Sequence, residues 1–213
     1  MKRYALAMQL DMLRQRQHVN EQSLALAGRK NMYGNSSGRA CVVWNDRSLW
    51  GDAVFAALNH KLGNMDRDDY EIYLSVLKAG GPYQYDSIVF FDVEASRAHF
   101  LNQEHRKDPA EHGIPLSYFE QGRLSYFMQI RQQALSGRAS IIYIYNDPWV
   151  EVSHVLDKLL VQPSTDKVRE IFEAAPELHD NATEAEVSAA FRPIREAYDA
   201  YYKEALQTLP VLA

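Results

Sequence analysis

The chain has one cysteine, Cys41, so no intrachain disulfide can form, and the thiol sits inside an apolar run that fits a buried structural residue. No stretch approaches the ~18 consecutive apolar residues that span a bilayer, and the first twenty residues hold no apolar signal core, which fits a soluble or peripheral protein. A basic excess is also missing: 23 Lys and Arg stand against 28 Asp and Glu, a net charge of −5. That balance argues against a binder of nucleic-acid backbones, which needs a positive face. Lys2, Arg3, Arg14 and Arg16 lie in a helical pattern like that of an organelle transit peptide, but Asp11 and the scarcity of Ser oppose that reading. A mitochondrial location would require an address that has been removed or is missing; otherwise the location is cytoplasmic.

The 213 residues present can bury a substantial core. Uninterrupted by Pro or Gly, residues 4–19 predict a helix, and Asn31-Met-Tyr-Gly-Asn-Ser-Ser-Gly38 predicts a surface loop. Three short apolar runs follow, each closed by polar residues: Ala40-Cys-Val-Val-Trp44, Ser87-Ile-Val-Phe-Phe91 and Ser140-Ile-Ile-Tyr-Ile-Tyr145. Helical stretches near 49–62, 66–79, 94–105 and 115–135 lie between them, so strands alternate with crossover helices. This order predicts an α/β fold, a parallel sheet with helices on both faces. Residues 166–208 predict a helical tail of two or three segments, with Pro176 and Pro193 as helix boundaries. Its Tyr198, Tyr201 and Tyr202 could dock on the sheet domain or on another protein.

Ligands of parallel α/β sheets bind beyond the carboxyl ends of the strands, which singles out the polar residues ending each run. The first run delivers Asp46-Arg47-Ser48, a carboxylate and a guanidinium that could orient a hydroxyl and neutralise phosphate charge, or simply pair at a strand end. Histidines 99, 105 and 112 with Glu104 and Glu111 do not make a metal site, because their spacing is not the i, i+3 or i, i+4 that converges ligands on a helix. No arrangement supports a Ser or Cys nucleophile.

Asp46-Arg-Ser-Leu-Trp-Gly-Asp52-Ala-Val-Phe55 resembles the Asp/Glu-Arg-Ser signature of the deoxyribonucleoside kinases. Arg3-Tyr-Ala-Leu-Ala-Met-Gln9-Leu-Asp-Met-Leu-Arg-Gln-Arg16 resembles the family helix that reads the base. Ile88-Val-Phe-Phe-Asp92 and Gly113-Ile-Pro-Leu-Ser-Tyr-Phe-Glu120 resemble the fourth strand and the segment after the lid, and the order of all four is the family's. The resemblance implies a P-loop-kinase-like domain over residues 1–160 and a helical C-terminal extension over 161–213. It also implies that Gln9 hydrogen-bonds a nucleobase, that Arg16 and Arg47 lie near the acceptor hydroxyl and phosphates, and that Asp46 places Arg47 and the metal. Asp52 and Phe55 line the substrate side, Glu111 binds the sugar hydroxyl, and Arg106 takes a lid-arginine position. ATP and Mg would be the cofactors of an active member.

Two departures from the family pattern carry weight. No Gly-x-x-x-x-Gly-Lys-Ser/Thr occurs in these residues, so the phosphate-loop strand, central in the family's sheet, is expected to be missing from the chain. The gap implies that the flanking strands close on each other, that another polypeptide supplies the strand, or that the chain is a fragment. The lid reads Asn102-Gln-Glu-His-Arg106-Lys-Asp108-Pro-Ala-Glu111, and Asp108 stands where a phosphate-binding cation is expected. Lys107-Asp-Pro-Ala-Glu111 resembles the depleted lid of the kinase-like accessory subunit of mitochondrial respiratory complex I. Two readings stay open: a non-catalytic subunit partnered by other proteins, with no cofactor, or a kinase phosphorylating a nucleoside.

Overall fold

The structure is a computed structural model that describes residues 4–32, 43–45, 49–80, 85–105, 113–145 and 152–208. The chain forms two compact units, Met1–Tyr83 and Gln84–Ala213.

Three helices that pack pairwise make the first unit: α1 (Ala5–Met32), α2 (Leu49–Lys61) and α3 (Arg67–Ala79). Leu6, Leu10 and Leu13 on α1, Leu49, Ala53 and Ala56 on α2, and Tyr70, Tyr73, Leu74 and Leu77 on α3 recur at three- and four-residue spacing and meet in one core. The start of α3 is fixed by Asp66, whose side chain accepts from the Asp69 N–H at 2.9 Å, and its acidic first turn and Lys78 near its end suit the helix dipole. The sequence predicts a helix ending near residue 19, but α1 continues to Met32, absorbing the start of the expected 31–38 loop; residues 33–42 lie outside the described residues. The expected strand at 40–44 is not found in its described part. Val43 and Trp44 lie in irregular backbone, 36% and 51% exposed, because a short apolar run does not by itself select extended pairing.

In the second unit, β1 (Ser87–Asp92) and β2 (Ser140–Tyr145) pair in parallel, in register from Ser87 opposite Ser140 to Asp92 opposite Tyr145. Parallel neighbours need a long crossover, supplied here by α4 (Ala95–His105) and α5 (Leu116–Ser136). Along β1 the buried residues alternate as Ile88, Phe90 and Asp92, whereas β2 is buried from Ser140 to Ile144. Three helices follow: α6 (Val152–Leu160), α7 (Thr165–Glu173) and α8 (Glu184–Gln207).

The two last helices pack on α5 and β2. Phe191 of α8 lies 4.9 Å from the Phe127 ring and 5.8 Å from that of Phe90, and the Tyr198 hydroxyl donates to the Ile141 carbonyl at 2.8 Å. Thr183 and Glu186 form a reciprocal capping box at the start of α8, and Ser164 caps α7. Pro176 falls just beyond α7, as expected. Pro193 does not bound a helix: it stands inside α8, where buried Phe191 and Ile194 on either side of it hold the chain helical despite the missing N–H. The helix pattern thus survives where burial outweighs local propensity.

Gly137 ends α5 in the left-handed region at φ 65°, and a methyl group there would overlap the Arg169 guanidinium. Gly137→Ala is therefore expected to lower stability by about 1–2 kcal/mol, through backbone strain and displacement of Arg169. A urea melt of the variant checks this.

Candidate functional site

The faces of α1 and α2 that meet in the first unit carry polar side chains as well as leucines. Gln9, Leu13 and Arg16 recur four and seven residues apart, so they share one side of α1, and Asp52, Phe55 and Asn59 do the same on α2. Gln9 is 1% exposed and Asp52 3%. The Gln9 Nε2 donates to Asp52 Oδ1 at 3.4 Å, and Asn59 Nδ2 donates to Gln9 Oε1 at 3.3 Å. Tyr73 of α3 donates its hydroxyl to Asp52 Oδ2 at 2.8 Å. Beside it, Tyr70 stacks on His60 at 4.7 Å, and burial pushes the Tyr70 phenol above its usual pKa.

Two residues expected at a substrate site, Gln9 and Asp52, are thus brought within one hydrogen bond of each other. Phe55 and Arg16 are half-buried on the same helices. Asp46, Arg47, Arg106 and Glu111 lie outside the described residues. Sequence reasoning missed Asn59 and Tyr73. The first was within reach, seven residues after Asp52 on one helix face; the second depends on how α3 packs, which no local pattern gives.

In the second unit the carboxyl ends of the strands hold another polar cluster. Asp92 closes β1 and is 1% exposed. Arg123 of α5 grips it with both arms of its fork, Nε to Oδ1 at 2.9 Å and Nη2 to Oδ2 at 3.2 Å, while the Tyr143 hydroxyl donates to Oδ2 at 2.5 Å. The remaining nitrogen of Arg123 reaches α8, bonding the Glu184 carboxylate and, at 2.7 Å, the Ser188 hydroxyl. Burial disfavours the charge on Arg123, yet the hydrogen bonds and attraction of Asp92 and Glu184 outweigh it and hold the guanidinium above its ordinary pKa. Burial, and then the negative charge of Asp92, raise the Tyr143 phenol far above the tyrosine range.

At the rim the Tyr145 hydroxyl donates to Glu94 at 2.6 Å, and the Arg195 guanidinium lies 4.1 Å from the Tyr145 ring centre. These groups enclose a cavity of about 120 Å³ walled on one side by Ser188, Arg192 and Arg195 of α8. Ligand pockets usually run from roughly 300 to 1,000 Å³, so this space suits a few waters better than a nucleoside. Asp92 is committed to Arg123 and Tyr143, and the cluster ties α8 to the sheet more readily than it could move a proton.

The parallel β–α–β unit, with helices packed on its sheet, places the second unit among the α/β folds. The deoxynucleoside kinase family model matches residues 1–162, three-quarters of the chain, and the chain belongs to that family. The matched region ends between α6 and α7, so α7 and α8, with Glu184, Ser188 and Arg195, lie beyond it. No curated protein sequence matches the chain.

Proposed function

We propose that this member of the deoxynucleoside kinase family serves as a non-catalytic accessory subunit of a larger protein assembly. The observation that carries the reading is the state of Gln9: the amide that would read a nucleobase is buried, with its donor end on Asp52 and its acceptor end on Asn59. A base would have to displace these contacts or share the amide with Asp52 and Asn59. The lid sequence supports the same reading, since Asp108 would repel the phosphates it faced. The resemblance of Lys107-Asp-Pro-Ala-Glu111 to the kinase-like accessory subunit suggests mitochondrial respiratory complex I as the assembly.

Family membership favours a second reading, a kinase passing the γ-phosphoryl group of ATP to a nucleoside 5′-hydroxyl. There Asp46 would help hold Mg, and Arg47 and Arg106 would hold the phosphates. Asp46, Arg47 and Arg106 lie outside the described residues, and among those described no three His, Cys, Asp or Glu side chains converge as metal ligands.

Calorimetry with Mg-ATP and each deoxynucleoside, and a phosphoryl-transfer assay on the full chain, separate the readings. The accessory reading expects neither binding nor turnover, and native extraction in a complex far larger than the 24.4 kDa chain. Turnover, or deoxynucleoside binding that Gln9→Ala abolishes, would overturn it.

A further inference from the structure

Strand β2 reads Ser-Ile-Ile-Tyr-Ile-Tyr, six residues without charge, Pro or Gly and almost entirely β-branched or aromatic. Segments of this composition self-assemble into cross-β zippers when an edge is exposed. Among the described residues β2 pairs only with β1, and none of them forms a strand along its outer edge. None of the usual devices that blunt an edge, such as an inward charge or a proline, lies within β2 itself.

The outer edge is nonetheless occupied. Side chains from two helices donate to main-chain carbonyls of β2: the Tyr198 hydroxyl of α8 to Ile141 O at 2.8 Å, and Lys158 Nζ of α6 to Tyr143 O at 3.4 Å. Carbonyls two residues apart on a strand point to the same side, so both donors address one row. Each donor is held in place, since the Tyr198 ring stacks on Tyr143 at 5.3 Å and Lys158 Nζ sits 4.6 Å from the Tyr202 ring centre. We infer that Tyr198 and Lys158 form a built-in edge cap, and that the surface they close is a strand-addition site whose matching partner is β2 of a second copy of this chain.

The test replaces both donors and keeps their bulk, as Tyr198→Phe with Lys158→Met in the full chain. Each lost donor should raise the population with an open edge roughly five- to tenfold. Sedimentation velocity should then show larger species growing with concentration, and thioflavin-positive fibres with time, under conditions where the unaltered chain gives neither. Val187→Ala, fully buried in the same helix, loses packing but keeps both donors, and should stay the size of the unaltered chain. An unchanged size distribution in the double variant would overturn the inference. Equal association by Val187→Ala would also overturn it, because assembly would then report lost stability alone.

Discussion

Arg123→Met is expected to destabilise the second unit by about 3–5 kcal/mol, the usual cost of leaving one member of a buried ion pair without the other. Asp92 is 1% exposed, and in this variant its only described donor would be the Tyr143 hydroxyl. The adjoining cavity of about 120 Å³ has room for only a few waters in place of the lost guanidinium. The same substitution releases Glu184 and Ser188 from α5, and it removes the guanidinium lying 5.2 Å from the Phe191 ring centre.

Removing both charges separates the value of the pair from the penalty of breaking it. Asp92→Leu with Arg123→Met buries apolar groups in place of the pair and should recover part of the loss, because the desolvation cost of two ions disappears along with their attraction, while the Tyr143 hydroxyl and Glu184 still lack the partners they had. Urea unfolding of the two single variants and the double variant closes the cycle. A single-variant loss below about 1 kcal/mol would mean that water already reaches Asp92, contrary to its burial.

This hub also marks the limit of what the sequence discloses. Strands β1 and β2 and helices α2 to α5 were legible to within a residue or two, because each apolar run is bounded by polar or turn-forming neighbours. Asp92 was legible as a strand-end carboxylate. Its partner was not, since Arg123 lies 31 positions away and Glu184 a further 61, and nothing local marks either for pairing. The resemblance placed Gln9 and Asp52 in one neighbourhood, but that their polar atoms are spent on each other, on Asn59 and on Tyr73 follows from helix packing. The length of α1 and the helical state of Pro193 escaped for a related reason: local signals set propensity, and tertiary burial decides the outcome.

Alkaline pH should unfold the second unit steeply. The phenols of Tyr143 and Tyr198 are 2% and 0% exposed, and burial raises both far above the ordinary value near 10. For Tyr143 the carboxylate of Asp92 adds to the rise, partly offset by Arg123 and Arg195; for Tyr198 the neighbouring Tyr202 and Tyr201 add to it. In the unfolded chain both ionise near pH 10, whereas in the folded unit both stay protonated. Their contribution is therefore fully present below pH ~10 and is lost as pH rises above it, since the unfolded state then releases protons that the folded state retains. Tyr202, on the same helix as Tyr198, is 4% exposed and raised by burial in the same way, so three such groups give a slope of about 4 kcal/mol per pH unit. Urea midpoints taken from about pH 9 to 11, with tyrosinate absorbance followed in parallel, measure it. Tyr198→Phe should reduce the slope by about a third, because one of the three protons is removed from the balance. An unfolding free energy that stays level across this range would show that these phenols ionise in place, and hence that water enters the sheet where α8 now covers it.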